Sequence, residues 1–337
     1  MKKRKIFALV VSLAFLVLIF YKIDLSELVN TFKNFDCKNL IWIVLFYVLS
    51  LYVRGVRWKA LLLNDSKYSS LGLAEIFTVG SMLNVFLPAR AGDVYRAYYL
   101  GTVKEERKMK VLGSIILERI FDGICVFLIL LFAVLMYCRQ KWILQLSYGI
   151  GALFIGALLV FYLIYKFDKI DWIFAQISKI FKPLPEKFAL PLLNFTDKVR
   201  NYMNSFMQGF QVLDSLKYTL ISLVSSFIVW GLEAYVAYLI VDSFDLGLRF
   251  AAALFVISLT SFSTMIPSTS VFLGPYQYAY ILALGIFSIE KSTSLAVSAI
   301  HQAIYMIILT VLGGYYLLKS NISIKDIEKA AEYQNKD

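Results

Sequence analysis

The stretch NVFLPARAGDVYRAYYLG, Asn84 to Gly101, ends a long apolar run and carries charges together with helix-breaking residues. Five such residues fall within nine positions: Pro88, Arg90, Gly92, Asp93 and Arg96. Proline removes a backbone donor and glycine adopts conformations that other residues avoid, so a helix is expected to break here. If the chain only leaves the membrane, the stretch is a loop. If the backbone stays at membrane depth, it is a candidate binding site.

The composition around this stretch is that of a polytopic membrane protein. Of 337 residues, 60% are hydrophobic and 17% are charged, whereas soluble domains are about half apolar and about a quarter charged. The apolar residues form long blocks, and membrane strands would instead show alternation over about ten residues. The membrane spans are therefore predicted to be helices.

Six apolar blocks are long enough to cross a bilayer. They are 6–21, 39–56, 110–137, 143–165, 217–241 and 292–318. Two further blocks, 71–87 and 249–266, reach a proline (Pro88, Pro267), then a glycine (Gly92, Gly274), then a short aromatic segment. We predict an all-α polytopic membrane protein with about six full transmembrane helices and two re-entrant broken-helix segments.

The distribution of basic residues predicts the orientation. The basic N-terminus precedes an apolar block without a small-residue cleavage site, so it is interpreted as a retained span. With that terminus inside, 24 of the 34 Lys and Arg residues, including the group in 54–70, fall on the cytoplasmic side and seven outside. This bias predicts a multi-pass protein of the cell membrane with both termini cytoplasmic.

The order of the blocks predicts an inverted repeat. Residues 1–337 form a single membrane domain whose first repeat covers about 1–140 and whose second covers about 141–320, followed by a short polar tail, 320–337. Each half has three spans and one interrupted block, and the halves begin from opposite faces. In such proteins, paired interrupted helices point to the substrate site.

One long loop, about 166–216, contains two segments with apolar residues at helical spacing. In the first, lysines occupy the other face. These residues are Ile170, Ile173, Phe174, Ile177, Ile180 and Phe181, then Tyr202, Met203, Phe206, Phe210 and Leu213. The segments are expected to be amphipathic helices that lie in the membrane interface or pack on the protein's own cytoplasmic face.

Composition also argues against several classes of function. The net charge of +11 is spread between apolar blocks, without the aromatic-interleaved basic domain of a nucleic-acid binder. The three cysteines, Cys37, Cys125 and Cys138, are odd in number and lack metal-ligand spacing. We expect no nucleic-acid partner, no cofactor and no metal site.

The block that begins near Met109 contains SIILERIFDGICVF, with Glu118, Arg119 and Asp122 on a predicted span. Charges at membrane depth cost about 2.5 to 3.5 kcal/mol each on insertion scales, so they are normally paired or face water. Arg119 and Asp122 are three apart and can pair. Glu118 then needs an outside partner, which we predict to be Arg90 or Arg96.

Two interpretations of this cluster stay open. In the first, the ion pairs only hold an irregular segment in place. In the second, an arginine fork and free backbone N–H groups after Gly92, where the helix restarts, receive a phosphate. The two roles are compatible.

The second interrupted block, SFSTMIPSTSVFLGPYQYAY, lacks fixed charge, and Gly274 with Pro275 is suited to start a helix. Its hydroxyls can bind a ligand or return hydrogen bonds to helix carbonyls. They belong to Ser261, Ser263, Thr264, Ser268, Thr269 and Ser270. Glu233 and the single histidine, His301, are polar residues in spans and candidate partners of each other, and Glu75 raises the same question.

The chain resembles a known family in these segments. LNVFLPARAGDVYRAYYLG, ILERIFD, MIPSTSVFLGPYQYAYILAL and AVSAIHQAIYMIILTVLGGYYLL are similar to the transmembrane region of lysylphosphatidylglycerol synthases and to its stand-alone, flippase-like relatives. The similarity covers nearly the whole chain. The residues that match are Asn84, Pro88, Arg90, Gly92, Asp93, Arg96, Glu118, Arg119, Asp122, Pro267 and Gly274.

The resemblance implies a lipid-translocating domain for a phospholipid or lipid-linked headgroup, such as aminoacylated phosphatidylglycerol. Two positions depart from the family: Gln277 stands where relatives usually have Glu, and His301 lies near a usual Arg. If the Glu and the Arg form a pair in relatives, a Gln and a His here would form a weaker, uncharged version of it. Only about 19 residues follow the last span, so we do not expect the synthases' aminoacyl-transfer activity.

These arguments yield three sets of candidate residues. The candidate substrate-binding residues are Asn84, Arg90, Gly92, Arg96, Ser268, Gly274, Gln277 and His301. The candidate charge network is Asp93, Glu118, Arg119 and Asp122, and the helix breaks are Pro88, Pro267 and Pro275. No catalytic residue is assigned.

Three functions remain open. The first is a lipid flippase or transporter. The second is a membrane-embedded enzyme acting on a lipid phosphate, with Glu118 or Asp122 as the base. The third is an accessory subunit of a lipid or glycolipid synthase. The expected partners are a membrane lipid, a lipid-modifying enzyme in the third case, and further copies of the chain if it oligomerises.

Overall fold

A computed structural model describes residues 33, 35–63, 67–87, 90–103, 105–137, 141–264 and 274–319. Eleven α-helices and no strand lie in these ranges. They are α1 (Leu40–Leu61), α2 (Ser70–Phe86), α3 (Ala91–Val103), α4 (Lys108–Tyr137), α5 (Lys141–Lys166), α6 (Lys169–Phe181), α7 (Glu186–Met207), α8 (Leu216–Asp242), α9 (Phe250–Ser263), α10 (Pro275–Gly285) and α11 (Lys291–Lys319). The predicted all-α fold is confirmed.

Five of these helices, α1, α4, α5, α8 and α11, are long and apolar enough to cross a membrane. A helix satisfies its backbone hydrogen bonds internally, which the interior of a bilayer requires. The five coincide with five of the six predicted spans. The remaining predicted span, 6–21, and the tail, 320–337, lie outside the described residues.

Both predicted interruptions are present between short apolar helices. The 17-residue α2 ends at Phe86 and α3 begins at Ala91, while the 14-residue α9 ends at Ser263 and α10 begins at Pro275. Gly274 precedes Pro275 with a φ of +98°, a backbone conformation that side chains disfavour. Pro88 and Pro267 lie outside the described residues. The re-entrant course and the inverted repeat stay predictions.

One hydrophobic core joins the two interrupted regions to the long helices. It brings together Tyr47 of α1, Phe77 of α2, Ile240 of α8, Tyr280 of α10 and Leu309 of α11, all nearly inaccessible to solvent. The burial of apolar side chains contributes about 25 cal/mol per Å². The interrupted helices are therefore held by the same packing as the long ones.

A second core lies where α3 meets α4 and the long loop. It includes Trp58 of α1, Leu100 of α3, Ile115 of α4, and Phe210 of the 3₁₀ helix Gln208–Asp214. This core fixes α3 against α4, the helix that carries the predicted acidic residues.

The long loop forms α6, α7 and the 3₁₀ helix, as its spacing predicted. On one face of α7, Ala189, Thr196 and Met207 are buried. On another face, Phe188 and Phe195 are 62% and 65% exposed. The helix packs on the protein, as one alternative expected, and its location in the membrane interface, the other alternative, stays a prediction.

The predicted boundary of the second span was wrong by more than one helical turn. Arg54 and Arg57 were assigned to the cytoplasmic group 54–70, but α1 continues to Leu61 and contains both. Arg57 is fully buried. The helix continues beyond the apolar block because buried carboxylates on other helices bind these two arginines, which allows charged residues within the helix.

Candidate functional site

A cavity of about 210 Å³ lies between the two interrupted regions and the long helices. It is lined from α1, α2, α4, α8, α9, α10 and α11, and by Arg90 just before α3. Seven of its lining residues carry a guanidinium, carboxylate, imidazole or amide group: Arg54, Asn84, Arg90, Arg119, Glu233, His301 and Gln302. Most of the remaining lining is aromatic or aliphatic. Ligand sites commonly combine an apolar wall with a few such polar groups.

Asn84 organises the first interruption. Its Oδ1 accepts a hydrogen bond of 2.8 Å from the Gly92 N–H, and its Nδ2 donates to Asp93 Oδ1 at 3.2 Å. The amide thus satisfies a donor in the first turn of α3 that no helix carbonyl can reach. The N–H of Gly92 itself is therefore not free, and the binding of phosphate by backbone N–H groups after Gly92 stays a prediction.

The glycine at position 92 is required by close helix packing. A Cβ at Gly92 would overlap the carbonyl oxygen of Gly80 on α2. The absence of a side chain lets α3 return against α2 immediately after the interruption. Gly92 therefore permits helix contact and does not line the cavity.

An ionic network joins α1, α3 and α4. It consists of Arg57, Arg96, Arg119, Asp93, Glu118 and Asp122. Arg96 Nη2 lies 2.7 Å from Glu118 Oε2, which confirms one of the two predicted partners of Glu118. Arg57 Nη2 contacts the other oxygen of Glu118 at 2.9 Å. Glu118 is fully buried and holds two arginines.

The pairing of Arg119 was predicted incorrectly. Arg119 Nη2 donates to Asp93 Oδ1 at 3.0 Å, whereas Asp122 is held by Arg57 and by Trp230 Nε1, the latter at 2.9 Å. The prediction considered only residues three apart on α4. Because Arg57 and Trp230 reach Asp122 from neighbouring helices, Arg119 is directed toward α3 instead.

Arg96 is enclosed and does not line the cavity. Its guanidinium lies 4.0 Å from the ring centre of Trp58 and 4.6 Å from that of Phe77, and the side chain is 1% exposed. Cation–π contacts of this kind add to the ion pair with Glu118. The structure places this candidate substrate-binding residue in the ionic network.

Arg90 is the cation that this network leaves over. The network contains three arginines and three carboxylates, so its formal charge is zero. Within the described part of the chain, Arg90 has no ion pair, although Arg119 and Asp93 lie within electrostatic range. Arg90 lines the cavity and has a φ of +55°, which is uncommon for a residue with a side chain. Such conformations occur where surrounding structure enforces them, often at functional sites.

A second ion pair lies in the cavity wall. Arg54 Nη2 contacts Glu233 Oε1 at 3.1 Å, and the Ser50 hydroxyl donates to the same oxygen at 2.9 Å. Arg54 also lies over the ring of Trp230, 5.8 Å from its centre. The predicted partnership of Glu233 with His301 was therefore wrong.

His301 and Gln277 bind other partners than each other. The His301 Nδ1 forms a hydrogen bond with the Tyr280 hydroxyl, and the Gln277 side chain donates to Gln302. Gln277 Oε1 also accepts from the Gly274 N–H at 2.8 Å. The hypothesis of an uncharged Gln277–His301 pair was wrong. These bonds fix the start of α10 against α11.

The hydroxyls before the second interruption bond back to their own helix. Ser263 donates to the Thr260 carbonyl at 2.6 Å, and Thr264 donates to the Ser261 carbonyl at 2.7 Å. A hydroxyl that has given its proton to the backbone can still accept a hydrogen bond but does not donate one. Ser268 to Ser270 lie outside the described residues.

Three of the eight candidate substrate-binding residues line the cavity: Asn84, Arg90 and His301. Gly274, Gln277, Gly92 and Arg96 are not among the residues that line it. Glu75 forms an ion pair of 2.9 Å with Lys319 and also lies outside the cavity lining.

The residues missed from the sequence were chiefly Arg54 and Arg57. With Ser50 they are spaced four and three apart, so they lie on one side of a helix. That periodicity could have identified them as the continuation of the span. Their partners, which come from α4 and α8, could not have been deduced from the spacing.

Comparison with known proteins gives a family match over most of the chain. Residues 5–313 match the family described as Lysylphosphatidylglycerol synthase TM region. A UPF0104 membrane protein of Pyrococcus horikoshii is 23% identical over 331 residues, which cover 94% of this chain and 97% of that protein. A UPF0104 membrane protein of Methanocaldococcus jannaschii is 26% identical over 242 residues, 71% of this chain and 95% of that protein.

A partial similarity extends to an enzyme. The glycosyltransferase AglD of Haloferax volcanii is 28% identical over 115 residues, which are 34% of this chain and 18% of that protein. No solved structure matches the chain.

Proposed function

Because the chain belongs to the lysylphosphatidylglycerol synthase transmembrane-region family, we propose that it moves a lipid with a phosphate-containing headgroup between the leaflets of a membrane. The observation that carries this proposal is Arg90. It lines the cavity and has no ion-pair partner among the described residues. An arginine binds phosphate or carboxylate oxygens through two parallel hydrogen bonds, and phosphate is the anionic group that a phospholipid headgroup supplies.

The cost of an unpaired charge supports a ligand at Arg90. An arginine at membrane depth costs several kcal/mol unless it is paired or hydrated. Every other arginine named in the cavity wall or the ionic network has a carboxylate within 4 Å. An anionic headgroup would give Arg90 the negatively charged partner that the other arginines already have.

The position of the cavity between two interrupted regions also favours a transporter. Arg90 follows the first interruption, whereas Thr264 and Tyr276 lie on either side of the second, and all three line the cavity. In membrane transporters, substrate sites are commonly formed where discontinuous helices from two halves meet.

The ionic network disfavours the alternative of a lipid-modifying enzyme. Glu118 is fully buried between two arginines, and Asp122 is held by Arg57 and Trp230. A carboxylate stabilised in this way is a poor general base, because ion pairing stabilises its deprotonated form. Neither residue lines the cavity.

The basic residues suggest how the protein lies in the membrane. Arg54 and Arg57 leave the cytoplasmic count, since both lie within α1. The remaining Lys and Arg still favour the proposed cytoplasmic side over the outer loops. We therefore keep both termini on the cytoplasmic side, and a reporter fused to the C-terminus tests this assignment.

Transport can be measured in proteoliposomes with a trace of acyl-labelled phosphatidylglycerol and a reductant that quenches only the outer leaflet. We expect Arg90→Ala to slow the protein-dependent exchange about tenfold or more, since a charged hydrogen bond contributes about 1.5–3 kcal/mol. Arg90→Lys should retain part of the rate.

The matched control is Arg200→Ala, which removes an exposed arginine paired with Asp171 and Asp197 on the long loop. It should exchange lipid at the wild-type rate. Equal rates for wild type and Arg90→Ala would refute a role for Arg90 in transport. Exchange no faster than in protein-free vesicles would refute the transport function itself.

A second candidate is an accessory role beside a glycosyltransferase, which the partial similarity to AglD favours. In that case the purified chain would move no lipid. Its removal would instead lower the yield of a glycosylated lipid made by a separate enzyme.

A further inference from the structure

The charges around the cavity can be counted pair by pair. The ionic network sums to zero, and the pair of Arg54 with Glu233 also sums to zero. Arg90 then gives the described part of the site a formal charge of +1. The segments 88–89 and 265–273, which adjoin cavity residues in the sequence, contain no ionisable side chain and do not change the count.

The carboxylate in the cavity wall, Glu233, already has a cationic partner. Glu233 is 6% exposed and is bound by Arg54 at 3.1 Å and Ser50 at 2.9 Å. Both contacts are made to Oε1, so an ammonium that approaches Oε2 meets a carboxylate whose charge Arg54 already neutralises. Arg54 is in turn held over Phe77 and Trp230, at 5.4 and 5.8 Å from the ring centres.

The aromatic residues that line the described part of the cavity do not form an open cage for a cation. Such a cage needs free ring faces around the ammonium. Trp230 already carries Arg54. Tyr47 packs edge to face on Tyr305, with ring centres 5.4 Å apart, and Tyr276 packs on Tyr280 at 5.3 Å.

We infer that the cavity selects a headgroup with a single negative charge and no ammonium group, an anionic phosphodiester. It discriminates against zwitterionic and aminoacylated headgroups. Selectivity comes from Arg90, which attracts the phosphate, and from the Arg54–Glu233 pair, in which Arg54 neutralises the carboxylate that a cation would otherwise bind. This inference rests on the proposed transport function and adds the charge class of its substrate.

The Arg54–Glu233 pair is the specificity-determining element, and its charge can be changed in steps. Arg54→Gln frees Glu233 and lowers the formal charge of the site to zero, so the preference for anionic headgroups should disappear. The double variant Arg54→Gln/Glu233→Gln returns the charge to +1. It should therefore recover the preference, even if its absolute rate differs.

The experiment compares three acyl-labelled lipids at trace level in phosphatidylcholine proteoliposomes: phosphatidylglycerol, phosphatidylcholine and lysylphosphatidylglycerol, with charges of −1, 0 and +1. For the wild type we expect phosphatidylglycerol to exchange at least tenfold faster than either of the others. Tenfold corresponds to about 1.4 kcal/mol, which one unit charge contributes at about 12 Å when the effective dielectric constant is about 20. Arg54→Gln should bring the three rates within about threefold.

A parallel arm tests the other source of the same chemistry, a free phosphate. Vesicles receive radiolabelled inorganic phosphate or glycerophosphoglycerol outside, and uptake is measured. Uptake of either without lipid exchange would assign the site to a soluble anion and overturn the lipid headgroup.

The outcomes separate this inference from the function on which it rests. If no lipid exchanges faster than in protein-free vesicles, the transport proposal fails. If lipids exchange but lysylphosphatidylglycerol or phosphatidylcholine matches phosphatidylglycerol, transport stands and the charge selectivity is overturned. If Arg54→Gln does not fold, the wild-type order and the double variant still decide the question.

Discussion

Arg57 offers the most direct test of the ionic network, because it binds two carboxylates and is fully buried. Its guanidinium contacts Glu118 at 2.9 Å, pairs with Asp122, and donates to the Ser226 hydroxyl at 3.1 Å. Arg57→Met keeps an unbranched apolar chain there and removes the charge. Of the described partners of Asp122, Trp230 then remains.

The expected cost is about 3–5 kcal/mol, since removing one partner leaves an uncompensated buried charge. Adding Asp122→Asn removes the excess negative charge and should recover about 1–2 kcal/mol, within the range of coupling between contacting residues. The matched control is Arg200→Met, whose exposed ion pairs should contribute about 0–1 kcal/mol.

The assay is equilibrium unfolding of the purified protein in detergent micelles, titrated with a denaturing detergent. The intrinsic fluorescence of its five tryptophans reports the transition. If Arg57→Met costs no more than Arg200→Met, the network does not hold α1 to α4. If the double variant loses more unfolding free energy than the two single variants lose when added together, Asp122 is not the residue whose charge Arg57 neutralises.

Three further outcomes follow from the packing. Gly92→Ala should destabilise the protein by about 1–3 kcal/mol through overlap with α2, whereas Gly149→Ala, with open space around it, should be neutral or stabilising; equal effects in the same unfolding assay would contradict the close packing. Asn84→Ala should cost about 1–3 kcal/mol, because the Gly92 N–H would lose its acceptor and Asp93 would lose a donor, and no loss would mean that water replaces the amide. In a variant without the three native cysteines, an environment-sensitive dye at Phe195→Cys should show a blue-shifted emission that lipid-borne quenchers reduce. The same dye at Asp197→Cys, an exposed position on the opposite side of α7, should not; identical spectra would exclude membrane contact by the exposed apolar face of α7.

The helical fold could be predicted because its signal is local. Apolar blocks of bilayer length specify helices, and the bounds of α4, α5, α8 and α11 lie within two residues of the predicted ends. The interruptions near Pro88 and Pro267 were also predictable, since proline and glycine act on the backbone of the residues beside them. The end of α1 was not, because its last turns contain arginines that composition assigns to a loop.

The partners within the candidate site depended on contacts between helices. The sequence identified Arg96, Glu118 and Asp93 as members of one charged cluster and gave Arg96 as one of two candidate partners of Glu118, which the structure confirms. It paired Arg119 with Asp122 because they are neighbours on one helix. The tertiary structure instead brings Arg57 from α1, and helical periodicity carries no information about which distant helix supplies a partner.

The sequence by itself determined the class of the protein, its long helices, both interruptions and the presence of charge at the first. Only the tertiary structure decided which arginine is left unpaired. The sequence offered Arg90 or Arg96 as the partner of Glu118, and in the fold Arg96 and Arg57 bind it. The physical reason is that a buried carboxylate binds the cation that packing brings within reach, and Arg90 remains at the cavity because Arg57, Arg96 and Arg119 neutralise the network without it.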